Sequence, residues 1–119
     1  MFADDFESGD MSAWTLSVTD NGHLSVTSVA TMSGSSELQT FVNDNNAMCV
    51  TERKPFDEAR YIPRFHFDPN NISEADGNNH NLFYAYDRNA VGQATVELRF
   101  SVGEYQLRGG INNDSKSGA

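Results

Sequence analysis

The sequence is poor in the residues that staple or interrupt a fold. It has one cysteine and three prolines in 119 residues. A lone thiol, Cys49, closes no internal disulfide, and it is too few for the convergent ligand sets of zinc sites. The stretch Ala47-Met48-Cys49-Val50 reads as a strand, which implies a buried, inert thiol rather than a nucleophile. Cations are also scarce. Lys+Arg number 8 against Asp+Glu 17, for a formal net charge of −9. Nucleic acid is bound by clustered cations that displace counterions from phosphates, and none cluster here. The same deficit argues against an anionic membrane surface, and no apolar run nears the ~18 residues of a spanning helix. The start Met1-Phe2-Ala3-Asp4-Asp5 has neither the basic residues nor the apolar stretch of a signal peptide.

Helical periodicity is missing too, and alternation takes its place. Trp14, Leu16 and Val18 alternate with Thr15, Ser17 and Thr19. After Asp20-Asn21-Gly22, Leu24 and Val26 alternate with Ser25 and Thr27. Asn-Gly between alternating runs predicts a hairpin, because both residues tolerate positive φ. Strands are further expected at 38–42 and 47–51, around the turn-forming Asn43-Asp44-Asn45-Asn46. Another is expected at 60–68, an edge or bulged strand because Pro63 lacks a donor. Residues 68–79 read as a polar loop, with a helical turn around Ile72-Ser73-Glu74-Ala75. Strands at 81–86, 93–102 and 105–111 complete the set, the last two joined by a two-residue turn at Gly103-Glu104. That turn sets Val102 against Tyr105, Phe100 against Leu107, and Arg99 against Arg108, with Glu97 diagonal to the two cations. About eight short strands predict an all-β antiparallel sandwich. It forms a single domain over 1–111, followed by a polar tail at 112–119.

The motifs of catalysis are sparse. There is no P-loop, no dinucleotide-binding glycine pattern and no Gly-x-Ser-x-Gly elbow. His23, His66 and His80 share no ligand spacing, so no metal site is assigned. Asp76-Gly77-Asn78-Asn79 and Asp44-Asn45-Asn46 offer the oxygen ligands calcium prefers. Turn formation explains both, so no cofactor is expected, with calcium as the one candidate ion. Glu97 has no second acid on its strand face, whereas glycoside hydrolysis needs two carboxylates roughly 5–10 Å apart. The candidate ligand-binding residues are Tyr84, Tyr86, Glu97, Arg99, Gln106 and Arg108. The aromatics would stack on sugar faces, and the others would donate and accept hydrogen bonds. The alternatives are that the two tyrosines fill core and that the polar side chains form a solvated outer face.

Asp5-Phe6-Glu7-Ser8-Gly9-Asp10-Met11-Ser12-Ala13-Trp14 resembles the opening of bacterial concanavalin A-like (LamG-like) jelly-roll modules. Leu24-Ser25-Val26-Thr27, Ala59-Arg60-Tyr61, Arg64-Phe65-His66-Phe67-Asp68-Pro69-Asn70, Val96-Glu97-Leu98-Arg99-Phe100 and Tyr105-Gln106-Leu107-Arg108 extend the likeness over roughly residues 4–111. The resemblance implies a concanavalin A-like jelly roll on a secreted or cell-surface protein, non-catalytic and carbohydrate-binding or adhesion-like. Two departures stand out. Ile62-Pro63 interrupts the family's Arg-Tyr strand, and the family continues into further strands after its Tyr-Gln-Leu-Arg stretch. Missing strands would leave open edges and apolar faces, so a homo-oligomer that completes its sheets between chains is expected. An assembly subunit with no small ligand is the alternative. A polysaccharide lyase is a weaker one. Val96-Glu97-Leu98-Arg99 is similar to a lyase strand, but the Gln-x-His element of that family is absent.

Overall fold

A computed structural model describes residues 1–29, 32–54, 56, 59–70 and 72–112. It is all-β and antiparallel, in keeping with the sandwich-like class. Among the described residues seven strands run in chain order: β1 (Leu16–Val18), β2 (Leu24–Thr27), β3 (Glu37–Thr40), β4 (Cys49–Thr51), β5 (Asn79–Tyr86), β6 (Gly92–Ser101) and β7 (Glu104–Ile111). The chain divides into two compact units, Met1–Asn70 and Asn71–Ala119. Of the predicted tail at 112–119, residues 113–119 lie outside the described residues.

In the first unit β1 pairs with β4, and β2 pairs with β3. The predicted β1–β2 hairpin therefore does not form. Asp20, Asn21 and Gly22 all take positive φ (45°, 57° and 93°), as their chemistry invites. But Gly22, His23 and Leu24 donate back to Thr19, Asp20 and Thr19, which makes a local corner inside one arm of a longer ribbon. The other arm breaks opposite it, and Asn46 Nδ2 donates to Asp20 Oδ1 at 3.1 Å across the gap. The Asx clusters thus interrupt the ribbon rather than end its strands in a hairpin. Cys49 pairs with Val18 at the start of a three-residue strand and is exposed, not buried. Among the described strands β4 pairs with β1 alone, so this three-residue strand lies at the edge of a two-stranded ribbon.

The opening motif has a structural role in this unit. Trp14 lies edge-on to Phe2 (4.8 Å between centroids) and parallel to Phe6 (6.1 Å). Its indole N–H donates to Asp4 Oδ2 at 2.7 Å, so the polar tip of a half-buried ring is satisfied. Glu7 Oε1 accepts the backbone N–H groups of Ser35 and Ser36 at 2.7 and 3.0 Å, and so fixes a distant loop. Hydrogen bonds from the Ser12 hydroxyl and then its N–H hold the Asp10 carboxyl below its usual range. The Thr15 hydroxyl does the same for Glu52.

Residues 60–68 form no strand. Pro63 cannot donate to a ladder and restricts Ile62 before it, and Pro69 closes the stretch. Tyr61, Ile62 and Phe65 are exposed. Residues 72–75 make no helical turn either. The backbone turns later, where Asn78 donates to Ala75.

The second unit is one three-stranded sheet of order β5-β6-β7. Strict alternation on β6 puts Val96, Leu98 and Phe100 on one face and Thr95, Glu97 and Arg99 on the other. Residues 72–76 are tied to the apolar face at both edges. Tyr105 Oη donates to the Ile72 carbonyl at 2.7 Å, and Glu74 Oε1 meets His80 Nδ1. Leu98, in the central strand between His80 and Leu107, is 3 % exposed. With Leu24 in the first unit it is one of two buried apolar side chains among the described residues.

The β6–β7 turn corrects the predicted register by one residue in the loop. Ser101 faces Glu104, so Val102 and Gly103 form the turn, with φ of 55° and 80°. Positive φ at both positions is the hairpin geometry that matches strand twist. Phe100 then faces Tyr105, with rings 4.9 Å apart, and Glu97 faces Arg108. The predicted alternative would have set two arginines opposite each other, and like charges in a cross-strand pair repel. A β-branched residue at positive φ carries backbone strain of about 1–3 kcal/mol. Val102 is also exposed, so its side chain contributes little packing. Val102→Asn is expected to raise the unfolding free energy by about 1 kcal/mol. Urea denaturation measures it, and an unchanged or lower midpoint would contradict the turn assignment.

Candidate functional site

The six residues singled out from sequence lie on one face of the second unit. Two irregularities in β5–β6 pairing make this so. Asn79 and Asn81 face Arg99 and Glu97, but Leu82 is bulged out, so Phe83 faces Val96 and Tyr84 faces Thr95. One extra residue flips the alternation and brings the tyrosines to the face that carries the asparagines. A second shift sets Tyr86 opposite Gly92.

Three cross-strand rows result, about 7 Å apart along the strands. Tyr84, Thr95 and Gly110 make the first. Asn81, Glu97 and Arg108 make the second, and Asn79, Arg99 and Gln106 the third. Tyr84 and Tyr86 are 45 % and 59 % exposed, so they do not fill core. Their rings stack at 5.1 Å with 13° between planes. A Cβ added at Gly92 would lie 3.5 Å from the Tyr84 ring and 4.0 Å from the Tyr86 ring. Both are ordinary van der Waals distances, so the tyrosine pair lies directly over β6 at this position.

Beside this platform is an open cleft of about 390 Å³ lined by Tyr84, Thr95, Gly110 and Asn112 among others. A second hollow of about 180 Å³ lies between Thr95, Glu97, Arg108 and Gly110. Thr95 and Gly110 line both, so the two hollows adjoin along one face, the first beside Tyr84 and the second beside the Glu97–Arg108 pair. On β7 the groove face carries no side chain at Gly110, which pairs with Thr95. At Gly110 an added Cβ would come within 2.7 Å of Thr95 Oγ1.

The charges in the groove differ from the sequence expectation. Glu97 Oε1 takes Arg108 Nη1 at 3.1 Å, and Glu97 Oε2 accepts from Asn79 Nδ2 at 2.6 Å. Arg108 is thus neutralised by its neighbour rather than repelled by Arg99. Arg99 sits one row further on, half-buried, and its guanidinium makes no hydrogen bond or ion pair with the described residues. Gln106 stands across from it on β7. The face therefore offers, in order, stacked aromatic rings, a bare floor, a carboxylate–guanidinium pair and a free guanidinium beside an amide.

The Asn79–Glu97 bond and the Leu82 bulge lie beyond what the sequence pattern predicts. The first follows from placing Asn79 opposite Arg99, one step from Glu97. The second leaves no sequence signal, since bulges need no special residue type. Of the two proposed calcium segments, Asp44 spends its oxygens on Asn46 N and Nδ2, and Asp76 Oδ1 accepts from Val102 N at 2.6 Å. Among the described residues no three His, Cys, Asp or Glu side chains gather as a metal site would require. No helix among them is long and apolar enough to cross a membrane. Comparison with family models, curated proteins and solved structures gives no match.

Proposed function

We propose that this protein is a non-catalytic β module that holds a glycan along the groove of β5–β6–β7. One observation carries the reading: the stacked tyrosines, the glycine floor and the planar polar groups share a single face in consecutive rows. Sugar rings present an apolar face and a polar rim. Exposed aromatic rings bind the first, and amides, carboxylates and guanidinium groups bind the second. Arg99, free beside Gln106, favours a carboxylated sugar, because guanidinium pairs with carboxylate through two parallel bonds. The likeness to concanavalin A-like modules supports the same class of ligand and a secreted or surface setting. Neither hydrolysis nor lyase chemistry is part of the proposal. Glu97 is engaged with Arg108 and Asn79, so it is not set up as one of two opposed acids.

An array of neutral and uronate-containing oligosaccharides tests this. Binding to uronate-bearing chains, lost in Arg99→Ala with an unchanged circular dichroism spectrum, is the expected outcome. A blank array, or binding indifferent to the groove residues, would overturn it.

A second reading, an assembly subunit, is favoured by apolar exposure on β7. Leu107 and Ile111 are 66 % and 86 % exposed, although they lie on the apolar face of the sheet. On this reading the chain forms a homo-oligomer that extends its sheets from chain to chain.

A further inference from the structure

The assembly reading leaves open which edge is used and in what register, and β7 supplies both. It is an edge strand of the sheet, and all eight of its residues are exposed. Asn112 donates to Gln93, and alternation along an antiparallel ladder then places residues 104, 106, 108 and 110 in the bonded pairs with β6. The N–H and C=O groups of Tyr105, Leu107, Gly109 and Ile111 therefore point away from the sheet. They form a row ready for another strand.

We propose that the partner is a second copy of this chain, paired β7 to β7 about a two-fold axis through Gln106. A two-fold normal to the sheet keeps polar face with polar face, so facing residue numbers must sum to twice that of the axial residue. The outward-pointing groups must also meet each other. An axis on Gln106 satisfies both conditions. Tyr105 faces the partner's Leu107 in hydrogen-bonded pairs, and Glu104 faces the partner's Arg108 on the polar side. Only this register brings those opposite charges together. An axis on Arg108 would set two arginines against each other at the closest spacing of the ladder, and an axis on Leu107 would set Gln106 against Arg108. Arg108 has the capacity for the contact: its side chain is 52 % exposed, with one nitrogen on Glu97. The result is a continuous six-stranded sheet with the exposed Leu107 side chains packed over the partner's Tyr105. The net charge of −9 per chain opposes association at long range, so added salt should tighten the dimer by screening it.

The inference rests on the assembly reading and not on glycan binding. The test uses the full chain at micromolar concentration. Light scattering is expected to give twice the chain mass. Leu107→Pro removes an outward N–H without touching a β6 bond, a position where edge strands accept proline. It should weaken the dimer about tenfold or more while the β spectrum persists. Leu107→Ala, which keeps the N–H, should remain dimeric. Glu104→Arg, which loses no described side-chain partner, should also give monomer. In a Cys49→Ser background, Gln106→Cys should oxidise to a cross-linked dimer. Facing Cα atoms in a non-bonded antiparallel pair lie about 4.5 Å apart, within disulfide reach. Arg108→Cys should not cross-link. A chain that associates but ignores Leu107→Pro and fails to cross-link at 106 overturns the β7 register and leaves the assembly reading standing. A monomeric wild-type chain overturns both.

Discussion

Leu98→Ala is expected to lower the unfolding free energy by about 2–5 kcal/mol, the range for deleting a buried leucine where neighbours cannot close the cavity. Total stabilities are about 5–15 kcal/mol, so this is a large share of what holds the sheet together. The effect should be severe here because burial is so concentrated. Leu98 is the one buried apolar side chain of the second unit among the described residues, and its cross-strand partner Leu107 is largely exposed. Leu107→Ala should cost less than about 1 kcal/mol in a dilute monomer, since little area leaves water there. Thermal or urea denaturation of the two variants reads the contrast. Equal losses would mean that the apolar face is packed differently.

Gly110→Val is expected to abolish glycan binding and leave the sheet folded. Its Cβ would stand 2.7 Å from Thr95 Oγ1, so the threonine side chain must rotate away. The two valine methyls would then occupy the floor shared by the two hollows. Valine suits a strand and can even gain stability there. Loss of binding with a retained or raised melting temperature would thus separate blockage from unfolding. An affinity reduced by at least about a hundredfold, or about 2.7 kcal/mol, is the expected size for a blocked floor. Unimpaired binding would place the ligand elsewhere.

The all-β class and the facial alternation of β6 and β7 were legible because period-two patterning survives a change of turn. The predicted and observed registers differ, yet both leave Glu97, Arg99, Gln106 and Arg108 on the same face. What the sequence did not show was who faces whom. Ser101-Val102-Gly103-Glu104 accommodates a turn at either pair, and the choice rests on longer-range pairing: Glu97 with Arg108 and Phe100 with Tyr105. The role of Tyr84 and Tyr86 was hidden for another reason. Plain alternation puts them opposite to Asn79 and Asn81, and only the bulge at Leu82 reverses that. Residues 60–68 show the converse failure. Tyr61, Phe65 and Phe67 alternate as a strand should, but Pro63 and the lack of a pairing neighbour among the described strands leave the segment irregular. Asn21-Gly22 likewise turned the chain as its conformational preferences dictate, while the strands on either side paired elsewhere.

Backbone resonances of the full chain, followed during titration with a uronate-containing oligosaccharide, test the glycan groove most directly. The groove predicts shifts confined to the face that carries Tyr84, Tyr86, Thr95, Glu97, Arg99 and Arg108, with the indole resonance of Trp14 unmoved. Shifts clustered instead in β1–β4, or a spectrum unchanged at saturating sugar, would contradict it.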